Sequence, residues 1–285
     1  MSKMKCTCGH EFEYREEDTQ PNLVTLGFCS PPYWVGKAYE YQANVAEIDT
    51  FIRRAAASYN AAVSTDNSRI VINTGTGFTT SMAGKKKRQT LLLMDKWANA
   101  FFDLGWNLRH VRHWIKRGQL LAIASKNDII DQHCEFIGTF ESDAGAEMKF
   151  DDRLWESDTA LLETFYNVKG GNRGHFKTGA KWAVRGFWDD IRGNAQQTGH
   201  IAAFPVQLVI RHLFLYTQAG EKVLDLFLGS GTTIIACQKM ARQGYGMEMD
   251  PLYIDLTIRR FMQYAPNEQV ICLTRDMDTS VYRTE

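Results

Sequence analysis

The stretch that most constrains the fold of this 285-residue chain is Lys222–Asp250. An apolar run, Lys222–Phe227, enters the turn Gly229-Ser230-Gly231. A helical pattern over Thr232–Ala241 follows, and then a second short strand, Tyr245–Met249, with Glu248 at its end. Strand, glycine turn, helix and strand in this order favour an α/β fold with a largely parallel sheet.

The rest of the chain alternates in the same way. Asn22–Phe28 is a short apolar run that stops at Ser30-Pro31-Pro32. Val45–Ala62 has apolar residues at helical spacing, Arg69–Asn73 is β-branched, and Leu91–Leu104 is helical. Val111–Ile115 and Phe136–Phe140 read as strands, Val206–Tyr216 and Tyr253–Gln263 as helices, and one more strand is expected after about Pro266. No internal repeat or low-complexity tract interrupts the pattern. Glu141–Gly199 does break it. Its first part is acidic, and Thr164–Gly193 carries six basic residues against Asp189 and Asp190, a local excess of four positive charges. A loop-rich insert of this length is more often functional than idle.

Lys plus Arg and Asp plus Glu are both 33, so a uniformly basic coat for nucleic acid is excluded, although a locally basic face is not. No apolar run approaches the roughly 20 residues of a membrane span. Met1–His10 lacks the apolar stretch of a signal peptide, so a cytoplasmic location and no membrane partner are expected. Four of the six cysteines are isolated and read as reduced thiols. Cys6, Cys8 and His10 could form half a metal site, but no second ligand pair lies nearby. A loosely packed N-terminal segment is the plain alternative, and no metal is expected in the chemistry.

Two motifs carry chemistry. The Gly229–Gly231 turn lets a ligand approach the backbone beside a helix N-terminus. It is not a phosphate loop, because no Lys follows, and Ile234 takes the third glycine position of a dinucleotide fingerprint. Glu248, about twenty residues on, can accept two hydrogen bonds from ribose hydroxyls, so the unit suits an adenosine without a pyrophosphate clamp. A purely structural turn explains either half alone, but not as readily the pair. The second motif is Ser30-Pro31-Pro32-Tyr33-Trp34, directly after a strand. Two prolines fix φ and remove two donors, while their carbonyls remain acceptors. Ser30 and the Pro31 carbonyl could accept from an exocyclic amine on a flat ring, with Tyr33 stacking on that ring.

On these motifs the chain resembles an amino-group DNA methyltransferase that uses S-adenosylmethionine. Ser30–Trp34 is similar to the catalytic (Ser/Asp/Asn)-Pro-Pro-aromatic motif. Asp225–Thr233 is similar to Asp-Pro-Phe-x-Gly-Ser-Gly-Thr-Thr, with Leu226 in place of the proline. Gly246–Tyr253 resembles Gly-x-Glu-x-Asp-x-x-Tyr, and Arg112–Lys116 a Trp-x-Lys strand. His200–Pro205 resembles His-Pro-Ala-x-Phe-Pro, with Ile201 departing from the second position. The catalytic motif precedes the cofactor motif with the insert between them, the order of the β group. The resemblance implies a Rossmann-like seven-stranded, mostly parallel sheet with helices on both faces and a loop-rich target-recognition insert. Residues 1–140 would form the catalytic half, 141–199 the insert and 200–285 the cofactor-binding half. The implied catalytic residues are Ser30, Pro31, Pro32 and Tyr33, with Tyr33 and Trp34 stacking on the base. The implied cofactor residues are Asp225, Phe227, Gly229, Ser230, Gly231, Thr232, Thr233, Glu248, Phe204 and Pro205.

Double-stranded DNA is the expected partner, with a cognate restriction endonuclease as a further candidate; the oligomeric state is open. The target base must leave the helix, at a cost of a few kcal/mol. Stacking could return about 1–3 kcal/mol. Ser at the first catalytic position resembles the cytosine-N4 subgroup, and adenine N6 is the alternative. Carbon-5 methylation needs a cysteine after a proline, and no Pro-Cys occurs. RNA or protein methylation, a catalytically inactive DNA-binding module and a nicotinamide oxidoreductase fit the motifs less well. Lys85, Lys86, Lys87 and Arg88 follow Thr74–Gly77 in a stretch that reads as flexible, and could close over phosphates or remain a solvated loop. Base readout is expected from Lys169, Arg173, Lys177, Lys181 and Arg185. His175, His200 and His212 read as structural or surface residues.

Overall fold

The computed structural model describes residues 24–35, 44–78, 90–116, 134–149, 185–192, 203–268 and 270–271. It also gives the backbone of four short strands, β1 (Lys3–Lys5), β2 (Glu11–Glu13), β9 (Phe165–Tyr166) and β10 (Gly179–Ala180). β1 pairs with β2 and β9 with β10, each antiparallel.

Seven other strands form one sheet. They are β3 (Leu26–Cys29), β4 (Arg69–Thr74), β7 (Trp106–Ile115), β8 (Cys134–Ser142), β11 (Phe187–Trp188), β12 (Lys222–Asp225) and β13 (Gln243–Gly246). The order is β11-β7-β8-β4-β3-β12-β13. Only β8 runs against its neighbours, so the sheet is mostly parallel, as expected.

The strands are apolar on both sides because helices cover both sides. Ile70 and Ile72 of β4 face helices α1 (Val45–Ala62) and α2 (Leu93–Phe102). Val71, with Leu26 and Phe28 of β3, faces α3 (Val206–Tyr216) and α4 (Thr232–Lys239). A fifth helix, α5 (Pro251–Tyr264), packs Ile258, Phe261 and Met262 against Ile234. α1 starts at a capping box: the Asn44 side chain accepts from the Glu47 amide, and Glu47 accepts from the Asn44 amide. α5 starts on Asp250, with Pro251 in its first turn.

Several details depart from the sequence reading. The helix expected from Leu91 begins at Leu93, because Thr90–Leu92 form a strand, β6, paired with β5 (Thr76–Phe78). Thr74–Gly77 is therefore buried strand and its junction, not a flexible stretch. β13 ends at Gly246, so Glu248 lies two residues beyond it. Within 141–199, β11 joins the main sheet beside β7. The Trp188 ring lies between the guanidinium groups of Arg112 and Arg211, 4.4 and 5.1 Å from its centre. Arg112 Nε also donates to the Arg185 carbonyl, and Trp114 Nε1 to that of Ile191. Residues 266–268 and 270–271 are not strand, and those after 271 lie outside the described residues. Cys29, Cys134 and Cys237 are free thiols. Among the described residues no helix is long and apolar enough to cross a membrane. Cys6, Cys8 and His10 lie outside those whose side chains are described.

Candidate functional site

Adjacent parallel strands present their carboxyl ends side by side, which is where α/β sheets place their ligands. β12 is that neighbour of β3: Val223 pairs with Leu26 and Leu224 with Gly27. The loop after β3 begins with Ser30 and the loop after β12 holds Gly229, so chain segments about 200 residues apart open on one edge of the sheet.

The loop after β12 is tightly built. Asp225 is fully buried; its Oδ1 accepts from the Phe227 amide at 2.9 Å and its Oδ2 from Thr233 Oγ1 at 2.5 Å. Burial pushes its carboxyl up to about 7 despite these two bonds. Gly229 and Gly231 have φ of 55° and 80°, the left-handed region that glycine adopts without strain. A Cβ on Gly231 would also lie 2.6 Å from Thr257 Cγ2. Ser230 Oγ accepts from Arg260 Nη1 at 2.7 Å, and Thr257 Oγ1 donates to the Gly229 carbonyl. Glu248 reaches back across the gap: its Oε2 accepts from the Gly229 amide at 2.8 Å, and its Oε1 from the amides of Met249 and Asp250. A carboxylate offers about four acceptor positions, so capacity remains for a hydroxyl. An acceptor-only group beside a glycine turn and a helix N-terminus fits the ribose of an adenosine, so the residues present fit S-adenosylmethionine.

The loop after β3 is anchored from below. Ser30 Oγ is 2.7 Å from Tyr33 Oη, and Asn73 Nδ2 lies 3.3 Å from Ser30 Oγ and 3.0 Å from Tyr33 Oη. The Tyr33 ring lies over Gly75, where a Cβ would come within 2.9 Å of it. Pro31 is buried, and Ser30, Pro32 and Tyr33 are half-buried. Trp34, expected to help stack a base, is 5% exposed and packs edge-on against Phe51. Phe51 in turn meets Phe227, with ring centres 5.5 Å apart. Trp34 is thus part of the packing that ties the loop after β3 to the loop after β12.

Sequence reading missed Tyr59, which sits between the two loops. Its hydroxyl donates to the Phe28 carbonyl at 3.4 Å and accepts from the Leu226 amide at 3.1 Å. Gly27 makes room for its ring, since a Cβ there would lie 2.8 Å away. Asn73 and Glu135 were missed as well. Phe204 packs edge-on against Phe28, and Pro205 is the N-cap of α3. Thr232 and Thr233 are buried in the first turn of α4. Of the expected DNA-contacting residues, Arg185 is described; its side chain is half exposed and 4.0 Å from Asp189. Lys85, Lys86, Lys87, Arg88, Lys169, Arg173, Lys177 and Lys181 lie outside the described residues.

Fold and site together define a methyltransferase-type α/β domain. The DNA methylase family N6_N4_Mtase matches residues 24–259, and the chain belongs to it: an S-adenosylmethionine-dependent enzyme that methylates amino groups of DNA. The chain is similar to the type II methyltransferase M.Cfr9I of Citrobacter freundii, 26% identical over 81% of this chain and 79% of that protein. It is similar to M.BglI of Bacillus subtilis at 44% identity, over 27% of this chain and 22% of that protein. Among solved structures, a putative DNA modification methylase of Thermus thermophilus, complexed with S-adenosyl-L-methionine, has a TM-score of 0.63 at 22% identity, covering 88% of this chain and 90% of that one. PvuII DNA methyltransferase (cytosine-N4-specific) has a TM-score of 0.61 at 16% identity, covering 93% and 85%.

Proposed function

We propose that the protein methylates the exocyclic N4 amine of a cytosine flipped out of double-stranded DNA. The observation that carries this reading is Ser30, a hydroxyl rather than a carboxylate or amide, directly after β3, the strand that pairs with β12 ahead of the glycine loop. The cytosine-N4 specificity stated for the PvuII enzyme supports it. The relatives' description as type II methyltransferases favours a cognate endonuclease as partner.

When bound at Asp225–Thr233 and Glu248, S-adenosylmethionine supplies a methyl group on a positively charged sulfur. Gly229, Ser230 and Gly231 bring the backbone close to it. Phe227, Phe204 and Pro205 would help hold it. On the other side, Ser30 Oγ and the Pro31 carbonyl accept the two amine hydrogens and draw them out of the ring plane. The nitrogen lone pair, otherwise delocalised into the ring, then becomes available for in-line attack. Tyr33 carries the base by stacking, worth about 1–3 kcal/mol against the few kcal/mol of flipping. The bound cofactor would supply its methyl group to this nitrogen and leave as a neutral thioether, with the amine proton released to solvent. Proximity and orientation carry most of the acceleration. Arg185 and the basic residues from Lys169 to Lys181 contact the DNA, and Lys85–Arg88 close over its phosphates.

The test is direct. The protein is incubated with several duplexes and methyl-labelled S-adenosylmethionine, and the DNA is digested to nucleosides. Label in N4-methylcytosine is expected. Label in N6-methyladenine rejects the base assignment, and no label on any duplex favours an inactive DNA-binding module.

A further inference from the structure

Beneath Ser30 and Tyr33 lies a polar cluster built by three other strands. Glu135, near the start of β8, is 7% exposed. Its Oε2 is 2.6 Å from Asn73 Nδ2, at the end of β4, and 3.0 Å from Tyr33 Oη. Its Oε1 is paired with Nζ of Lys116, which follows β7. A chain of bonds thus runs from Lys116 through Glu135 and Tyr33 to Ser30.

What matters is where the protons point. A hydroxyl has one proton, and Ser30 can accept from an amine only if its own proton is directed elsewhere. In an isolated Ser–Tyr pair either hydroxyl can be the donor. An ionised carboxylate can only accept, and a hydrogen bond to it is about twice as strong as one between neutral groups. The Tyr33 proton is therefore drawn to Glu135, rather than to Ser30 or to the Asn73 carbonyl at 3.1 Å. Tyr33 Oη then presents a lone pair to the Ser30 proton. Asn73 Nδ2, oriented by its contact with Glu135, can only donate to Ser30 and reinforces the same direction.

The geometry points to Glu135 as a positioning residue: acting through Tyr33, its carboxylate fixes the Ser30 hydroxyl as an acceptor toward the substrate amine, while Lys116 holds that carboxylate in place. The inference rests on the proposed role of Ser30 in methylating an amine and adds what sets that role. Gly75, having no Cβ, leaves room for the Tyr33 ring in this position.

Glu135→Gln, Tyr33→Phe and the double variant test it. The glutamine keeps size and one acceptor oxygen but brings donors into the cluster. In the native background Glu135→Gln is expected to lower kcat about tenfold or more. KM for DNA and Kd for S-adenosylmethionine stay within about twofold, and once Tyr33 is Phe the effect of Glu135→Gln on kcat is expected to shrink severalfold, because the connecting hydroxyl is gone and only the path through Asn73 remains. Equal losses in both backgrounds overturn the inference. A second readout is independent of turnover. In protein carrying 13Cζ-tyrosine, the Tyr33 resonance, identified by its disappearance in Tyr33→Phe, is expected at the low field of a phenol donating to a carboxylate and should move upfield in Glu135→Gln. If Glu135→Gln does not fold, the native resonance decides alone, and a position typical of solvent-exposed tyrosine overturns the inference. DNA labelling with an unmoved Tyr33 resonance defeats this inference only. No DNA labelling defeats the methyl-transfer reading and this role with it.

Discussion

Asp225 is held by two hydrogen bonds but fully buried, and the loss of hydration wins: its carboxyl rises from 3.8 to about 7. In that window the folded chain keeps a proton that the unfolded chain has released. Its contribution to stability is therefore full below about 4 and is lost as pH rises through about 7. Asp225→Asn keeps an oxygen for the Phe227 amide and cannot ionise. Its melting temperature, relative to the native chain, is expected to rise as pH goes from about 5 to 8; parallel curves would refute this. Ser30→Ala addresses the other loop. Turnover should fall by roughly a hundredfold with calorimetric cofactor affinity unchanged, because the hydroxyl orients only the amine. Equal loss of both would make Ser30 a structural residue. Ser30, Asp225 and Glu248 stood out in the sequence because each lies in a short contiguous motif, Ser-Pro-Pro-Tyr, the strand and glycine turn, or the acid about twenty residues on, whose spacing a local reading can match. Asn73, Glu135 and Tyr59 did not. Each lies inside a strand or helix, and its meaning comes from neighbours on other elements, which local spacing does not encode.

At the scale of elements, α3 illustrates what amphipathic patterning predicts and what it omits. Its bounds match the periodicity of Val206–Tyr216, but the pattern does not say that His212 is wholly buried between Phe28 and Trp188. Its Nδ1 lies 2.7 Å from the Leu208 carbonyl. Burial, with Arg112, His110 and Arg211 nearby, lowers His212 to about 3, and burial with Arg112, Arg69 and Arg109 lowers His110 to about 4. Both rings are neutral in the fold, and the unfolded chain takes up protons first. This stability is present above 6.5 and is lost as pH falls toward 4. His212→Phe keeps a ring against Phe28 and Trp188, so its melting temperature relative to the native chain should improve from pH about 7 to 5. That trend has the opposite sign to Asp225→Asn, so a general change in stability cannot imitate both. An unchanged acid profile in His212→Phe would mean that the ring titrates alike in the folded and unfolded chains. The strand β6 was illegible for a related reason: Thr90–Leu92 have the apolar look of the helix they precede, and only their pairing with Thr76–Phe78 makes them strand.

For the whole molecule the question is whether the segments before and after the insert behave as separate bodies. The sheet argues against it. β3 lies between β4 and β12, α3 packs on Phe28 of β3, and the Tyr59 hydroxyl joins the end of β3 to the start of the glycine loop. Even β11, from within 141–199, closes the far edge of the same sheet. Order along the chain announced an α/β sheet, but strand neighbours are long-range facts that no local pattern contains; the family resemblance, not periodicity, supplied the count of seven. Elements that share one sheet and two common cores should unfold together. Calorimetry is therefore expected to give a single transition, with equal calorimetric and van't Hoff enthalpies. S-adenosylmethionine at a hundredfold excess over its Kd adds about 2.7 kcal/mol and should raise that whole transition by roughly 5 °C or more. Tyr59→Phe strands the Leu226 amide and should cost about 1–3 kcal/mol without splitting the transition. Two resolved transitions, only one of them moved by the cofactor, would show that the two segments fold apart and that the β3–β12 junction is a contact rather than a shared core.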